Sequence, residues 1–371
     1  MDAFTDLFSS VQQWLFETAV QPAMFALGMG NLLEDGYEAT AWLMVGLLQI
    51  AILLAVVGPL QRWRPVEPVL DRATIRTDVL YTLIHRLGLF RIALFFTVEP
   101  WFDEAFGALR TAGYGTFHLD QLWPGVTDTA AVSFVIYLVV LDLVGYWIHR
   151  GQHHFTAWWN LHSLHHAQRQ MTMWSDNRNH LLDDLLMDSL MVVVAQLIGV
   201  APGQFVALVA FTQLSESFQH ANVRLWFGAL GERLWVSPRF HRLHHSIGLG
   251  HESPLKAKQF SAGPPQGKLA PEGLTSAAPS LPAQAWTDGR AAASRSGTSS
   301  EVREATSVGV RLGGHNFGVL LPWWDMLFGT ANFEQRYDPT GVRDQVERSR
   351  DYGRGFWSQQ WVGLKRLLGR A

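Results

Sequence analysis

Hydrophobic and polar positions divide the chain into long apolar runs separated by polar, often basic, stretches. Residues 1–37 carry mixed amphipathic patterning (Phe4, Leu7, Phe8, Val11, Trp14 and Leu15), which predicts an N-terminal helical segment at an interface. The segment has neither a basic leading region nor a cleavage site, so it is expected to be retained. Ala41 to Gln61 holds no charged residue over about 20 positions, enough for a helix to cross roughly 30 Å of hydrocarbon. Arg62, Arg64, Arg72 and Arg76 follow at once, and the positive-inside rule places that loop in the cytoplasm. Asp78 to Val98 predicts a return span, interrupted by His85, Arg86 and Arg91; ionisable groups at such depth face protein or water. For His85 a structural role is favoured over metal ligation.

Residues 99–127 carry Glu99, Asp103, Glu104 and Asp120 with few bases, predicting an external loop in which His118 is an ordinary surface residue. Thr129 to Ile148 crosses back and delivers His149 at its cytoplasmic end. Ser189 to Ser215 is again uncharged, and Pro202-Gly203 near its middle predicts a helical hairpin that enters and returns. The expected fold class is therefore all-α: an integral membrane helical bundle of about four spans or hairpin helices, with a cytosolic histidine-lined cap. Residues 38–252 make this bundle. From 253 to 311 Pro, Gly, Ala and Ser dominate and periodicity vanishes, so disorder is expected. Residues 312–335 rejoin the bundle, and 336–371 form a polar tail ending in a short basic amphipathic helix near Ser358 to Arg370.

Composition narrows the chemistry. The chain of 371 residues is 48% hydrophobic and only 16% charged, against roughly 25% charged in soluble domains. Its 16 tryptophans and 22 phenylalanines fit aromatic belts at membrane interfaces. Net charge is −3 with no basic block, so nucleic acid is not an expected partner. Cysteine is absent, which excludes disulfides, iron–sulfur clusters, thiolate haem and cysteine zinc sites within these residues. Any metal must rest on imidazole and oxygen.

Six of the 15 histidines fall between His149 and His166, and a second copy of one pattern follows at 241–245. His149 and His153 are spaced to share a helix face; His162 with His165 and His166 are expected to form a three-imidazole patch, and His241 with His244 and His245 another. The pattern reads HxxxH, HxxHH and HxxHH, giving eight imidazoles. A catalytic zinc takes three protein ligands, so eight, with His220 and His180 as candidate additions, suit two ions of higher coordination. Imidazole accepts zinc, copper, iron and nickel alike. Asp142 lies seven residues before His149, two turns along the same face, and is expected to support the metal ligands from behind.

These boxes and their surroundings resemble the fatty acid hydroxylase/sterol desaturase superfamily of integral membrane oxygenases. The likeness rests on Asp142-Leu-Val-Gly-Tyr-Trp-Ile-His-Arg150, Phe218-Gln-His-Ala-Asn222, Ser237-Pro-Arg-Phe-His-Arg-Leu-His-His-Ser246, Asn316-Phe-Gly318 and Trp324-Asp-Met-Leu-Phe-Gly-Thr330, and covers residues 40–335. The resemblance implies a non-haem centre of two Fe ions at the cytosolic end of a helical bundle, with zinc able to replace iron on purification. It implies ligation by His149, His153, His162, His165, His166, His180, His220, His241, His244 and His245, with Asn222 as a supporting residue; His315 has no box to support it. It further implies O2-dependent hydroxylation or desaturation of a membrane lipid. No flavin, haem or nucleotide motif is present, so electrons are expected from a separate donor, a ferredoxin or cytochrome with its reductase.

The chain departs from the family in the insertion at 253–311, just beyond His251 and Glu252, for which support rather than ligation is expected. No organelle retention signal is present, pointing to a bacterial inner membrane with the active site on the cytoplasmic side. The alternatives are a membrane zinc-dependent lipid hydrolase, which needs only three ligands and an open water position, and a metal-binding or transport protein. A transporter would spread histidines and acids through the spans, whereas here the boxes collect at one end.

Overall fold

The computed structural model describes residues 2–247 and 314–370. The expected disorder of 253–311, and the roles expected of His251 and Glu252, lie outside the described residues. Among the described residues the fold is all-helical, with no strand beyond an isolated bridge between Ser246 and Thr340. The N-terminal patterning forms α1 (Asp2–Leu15), which continues through a π turn into α2 (Gln21–Ala26) and packs on α3 (Leu33–Ile52). There Phe16 meets Tyr37 edge-on at 5.3 Å, and Gln12 Nε2 donates to the Tyr37 carbonyl at 2.9 Å.

Two helices are long and apolar enough to cross a membrane, and a third counts if a bent pair is one span. The first, Gly30–Trp63, contains α3, a π turn at Leu53–Val57 and α4 (Gly58–Trp63). The second is α8 (Ala130–His154). The bent pair is α5 (Arg72–Arg86) and α6 (Leu89–Thr97), which meet at 51°. The break falls at Gly88, whose φ of 78° ends α5. Asp71 caps the other end of α5 by accepting the Ala73 and Thr74 amides. Gly46 sets the crossing of α3 with α5: a Cβ there would lie 1.6 Å from the Arg86 carbonyl oxygen, so only glycine fits.

The expected hairpin is α10 (Leu181–Ile198) and α11 (Pro202–Gln219), joined through Gly199 at positive φ with Pro202 opening the second helix. Neither counts among the membrane-crossing helices; α10 alone carries Asp183, Asp184 and Asp188. Two to three apolar helices fit a membrane protein. Between the bent pair and α8 lies α7 (Glu99–Thr111), which like α6 buries none of its residues.

The remaining elements gather at one end. α9 (Thr156–His166) follows α8 after only Phe155; the short α12 (Gly228–Leu234) precedes α13 (Pro238–His244), which is capped by Ser237, whose hydroxyl accepts the Phe240 amide. The C-terminal helix Phe356–Leu367 lies against α9 and buries Phe356, Gln359, Gly363 and Arg366. Loop 64–67 packs on the same end: Asn222 Oδ1 accepts the Val66 and Glu67 amides, and Arg242 pairs with Glu67 at 2.8 Å.

Candidate metal centre

Where chain spacing only places histidines on helix faces, the tertiary structure brings nine of them together. One group comprises His149 and His153 from α8 with His162 and His166 from α9; a second comprises His165 from α9, His220 at the end of α11, His241 from α13 and His245 just past its end. His244 joins the two through a third set with His166 and His245. Within each set the donor nitrogens lie within 4.8 Å of one another, and nearly all these side chains are buried. The HxxHH spacing is thereby explained. On α9, His162 and His166 sit one turn apart and face one group, while His165 points to the other.

In the second group four Nε2 atoms converge. His220 approaches His165 at 3.1 Å and His241 at 3.0 Å, and His241 approaches His245 at 3.1 Å. Two nitrogens held at about 2.1 Å from one ion, with an angle near 90°, stand roughly 3.0 Å apart. The spacing therefore fits ligands around a metal. In the first group, His162 Nε2 is buried with no hydrogen-bond partner, although an unpaired buried polar atom is costly. Burial pushes His165, His241 and His244 well below the ordinary histidine value, and the neighbouring imidazoles add to this. His220 is pushed down chiefly by burial. Neutral imidazole is the form that binds metal. The donor set fits two ions of the kind that nitrogen ligands accept.

In four of the rings the far nitrogen is also held, which fixes the ring's direction. His162 Nδ1 meets Asp183 Oδ2 at 3.0 Å, and the other oxygen of Asp183 accepts from Gln152 and Trp158 at 2.8 and 2.7 Å. Nδ1 of His149, His220 and His244 meets the carbonyl oxygens of Phe317, Glu216 and His315 at 2.9, 2.8 and 2.8 Å. Two of these carbonyls belong to the Asn316-Phe317-Gly318 segment and its preceding residue. Asp325 clamps that turn by accepting the Phe317 and Gly318 amides at 2.8 and 2.7 Å. Gly318 is required because a Cβ would meet Asp325 Oδ2 and the Leu321 carbonyl, each at 2.8 Å.

Three sequence expectations need correction. His180 stands outside both groups: it caps α10 through Nδ1, which accepts the Leu182 amide, while Nε2 bonds the Gln360 carbonyl at 2.8 Å. With both nitrogens engaged it has none left for a metal. Asp142 touches no histidine of the cluster; its carboxylate takes the Leu320 and Leu321 amides and the Trp324 indole N–H. Its effect on His149 runs through the backbone it anchors. Asn222 likewise ties loop 64–67 in place and reaches no ligand. His85 pairs with Asp184 at 3.3 Å, and the ring of His315 joins neither group. Asp183, which the sequence pattern did not single out, holds a cluster imidazole, that of His162, through its carboxylate. Its signal was present as one of three acids in the first half of a largely apolar helix.

A cavity of about 430 Å³ opens onto His149, His162, His165, His220 and His241. It runs between α8, α10 and α11 toward α6 and α7, where Phe102, Phe106, Leu138, Met191, Val192 and Phe205 line it.

Comparison with known proteins agrees with this geometry. Residues 134–254, which contain all nine clustered histidines, match the fatty acid hydroxylase family. The chain is 27% identical over 195 residues to the ornithine lipid hydroxylase OlsE of Rhizobium tropici, covering 52% of this chain and 57% of that one. It is 34% identical over 98 residues to lathosterol oxidase of Homo sapiens, covering 24% and 32%. It is 30% identical over 115 residues to the Delta(7)-sterol 5(6)-desaturase ERG3B of Gibberella zeae, covering 31% and 35%. The chain thus spans little more than half the length of the first of these relatives and about a third of the other two. No solved structure matches it significantly.

Proposed function

Because the chain belongs to the fatty acid hydroxylase/sterol desaturase superfamily, we propose that it is a membrane-bound non-haem di-iron oxygenase. It hydroxylates or desaturates a lipid C–H bond with O2 and electrons from a separate donor, a ferredoxin or cytochrome with its reductase. The observation that carries this reading is the convergence of nine imidazoles, in two groups, at the inner end of an apolar cavity. His149, His153, His162 and His166 would hold one ion, and His165, His220, His241 and His245 the other, with His244 between them. When bound, the iron pair supplies O2 activation and the oxidation of an unactivated C–H bond.

The protein's own residues supply position and exclusion of water. Asp183 keeps the Nδ1 proton on His162, and the Phe317, Glu216 and His315 carbonyls do the same for His149, His220 and His244. Each ring therefore presents Nε2 inward. The aromatic and aliphatic cavity walls align a lipid chain with its reacting carbon toward the histidines. Loop 64–67, flanked by the bases Arg62, Arg64, Arg72 and Arg76, packs against the histidine-bearing end, which by the positive-inside rule supports a centre on the cytoplasmic side.

Metal content, measured by mass spectrometry on protein purified in mild detergent from iron-supplemented cells, tests the reading. Close to two irons per chain, lost in a His165→Ala/His244→Ala variant, supports it and directs lipidomics to species with one more oxygen or two fewer hydrogens. One zinc per chain, indifferent to iron supply and retained in the variant, overturns it in favour of hydrolysis.

A further inference from the structure

The cavity wall mixes apolar side chains with several charged ones. Most acids on its wall are already satisfied: Asp142 by backbone amides and Trp324, Asp183 by His162, Gln152 and Trp158, Asp184 by His85, and Asp176 by Arg86 and Ser217. Two remain. Asp188 on α10 and Glu216 on α11 line the cavity, and neither carboxylate has a hydrogen bond or ion pair among the described residues. Gln219, only 1% exposed, gives an independent sign of a missing partner. Its Nε2 donates to the Val319 carbonyl at 2.8 Å, which identifies Oε1 as an acceptor, and Oε1 is buried in the cavity wall with nothing bonded to it.

A buried acceptor without a donor is costly unless something supplies one, and two half-buried carboxylates facing the same cavity call for a positive one. His85 and Arg91 lie near Asp188, and Arg86 near Glu216, but among the described residues none makes an ion pair with either, and each has a closer partner. Arg86 is held by Gln49, Gln213, Asp176 and Ser217, and Arg91 lies over the Trp42 ring at 3.5 Å. His85 is held by Asp184.

We propose that Asp188, Glu216 and Gln219 bind the ammonium of a lipid headgroup, so that the enzyme's substrate is an amine-bearing lipid. The inference rests on the lipid-oxygenase reading and names its substrate class. Glu216 stands one helical turn before His220, so an ammonium held there brings the headgroup end of the lipid, rather than the end of its chain, nearest the histidines. The apolar walls beyond accept the chains.

Binding without turnover tests this. Decylamine, decanol, decanoate and butylamine are titrated into the purified full-length protein in neutral detergent, followed by tryptophan fluorescence, with iron measured on the same sample. Decylamine should bind about tenfold tighter than decanol, and tighter still than decanoate, as expected for one desolvated charge pair. The isosteric variants Glu216→Gln and Asp188→Asn should each lose most of that preference. Equal binding of decylamine and decanol by the unsubstituted protein, or tighter binding of decanoate, overturns the proposal whether or not the variants fold. Butylamine binding as tightly as decylamine overturns it in favour of a small soluble amine. Protein with two irons and no amine preference sinks this proposal alone; amine preference in protein that never takes up iron sinks the oxygenase reading instead.

Discussion

The histidine-bearing end and the α6–α7 region are built to opposite rules. Every residue from Leu161 to Gln168 and from Val236 to Ser246 is buried, and the rings of His162 and His244 there are tied to a carboxylate and a carbonyl. α6 and α7 bury no residue at all, and Leu89, Ile92, Phe96 and Trp101 stand more than 45% exposed. A metal centre demands donors fixed to within a fraction of an ångström, which dense packing and second hydrogen bonds supply. A wall that must admit a lipid gains from the reverse, apolar surface with few internal contacts and low local stability. One chain thus carries a rigid pole and a soft one, with the cavity running between them.

Breaking the rigid pole should have the largest effects. His165→Ala/His244→Ala removes a ligand from the second group and the histidine between the groups, and should abolish metal retention by mass spectrometry. Asp183→Asn frees the His162 ring, and should weaken metal binding roughly 10–100-fold in a competition titration while the helical circular dichroism persists. Gly318→Ala forces a Cβ against Asp325 and the Leu321 carbonyl, and should cost about 1–3 kcal/mol in chemical denaturation. An unchanged midpoint would show that the turn yields and that Phe317 is not rigidly placed.

The pH response sharpens the contrast further. Burial holds His165, His241 and His244 far below the ordinary value of 6.5. As pH falls through 6.5 the unfolded chain takes up protons that the folded chain refuses, so metal-free protein should be most stable above that value and lose stability steadily below it. A flat denaturation midpoint between pH 7.5 and 5.5 would contradict the buried, neutral cluster. The smallest effect belongs to the soft pole. Phe96→Ser on the exposed face of α6 should shift stability by no more than about 0.5 kcal/mol and leave metal content unchanged. Hydrogen exchange should be fast across α6 and α7 and slow across α9 and α13.

Much of this was legible from pattern. The uncharged run at 41–61 marks one membrane-capable helix and 129–148 another, because an apolar stretch of that length has few alternatives. The three boxes name eight of the nine clustered histidines, because spacings of three and four on a helix are local facts. His220, a lone histidine, rests on resemblance and on its compartment. Errors arise where a residue's role depends on what lies opposite it. His180 looks like one more ligand until α10 and the C-terminal helix are seen to occupy both its nitrogens. Asp142 shares a face with His149, but the loop at 320–324 reaches it first.

The sequence by itself determined the helices, the apolar character of the bundle, the supply of imidazoles and the exclusion of cysteine chemistry. These follow from composition and from periods of a few residues. Tertiary structure alone decided which four histidines face which centre, that Asp183 and three backbone carbonyls hold their rings, and that Asp188, Glu216 and Gln219 stand unpartnered in one cavity. Those facts join residues up to 168 positions apart, such as His149 and Phe317. Contacts of that range are set by how helices cross, which no local pattern encodes.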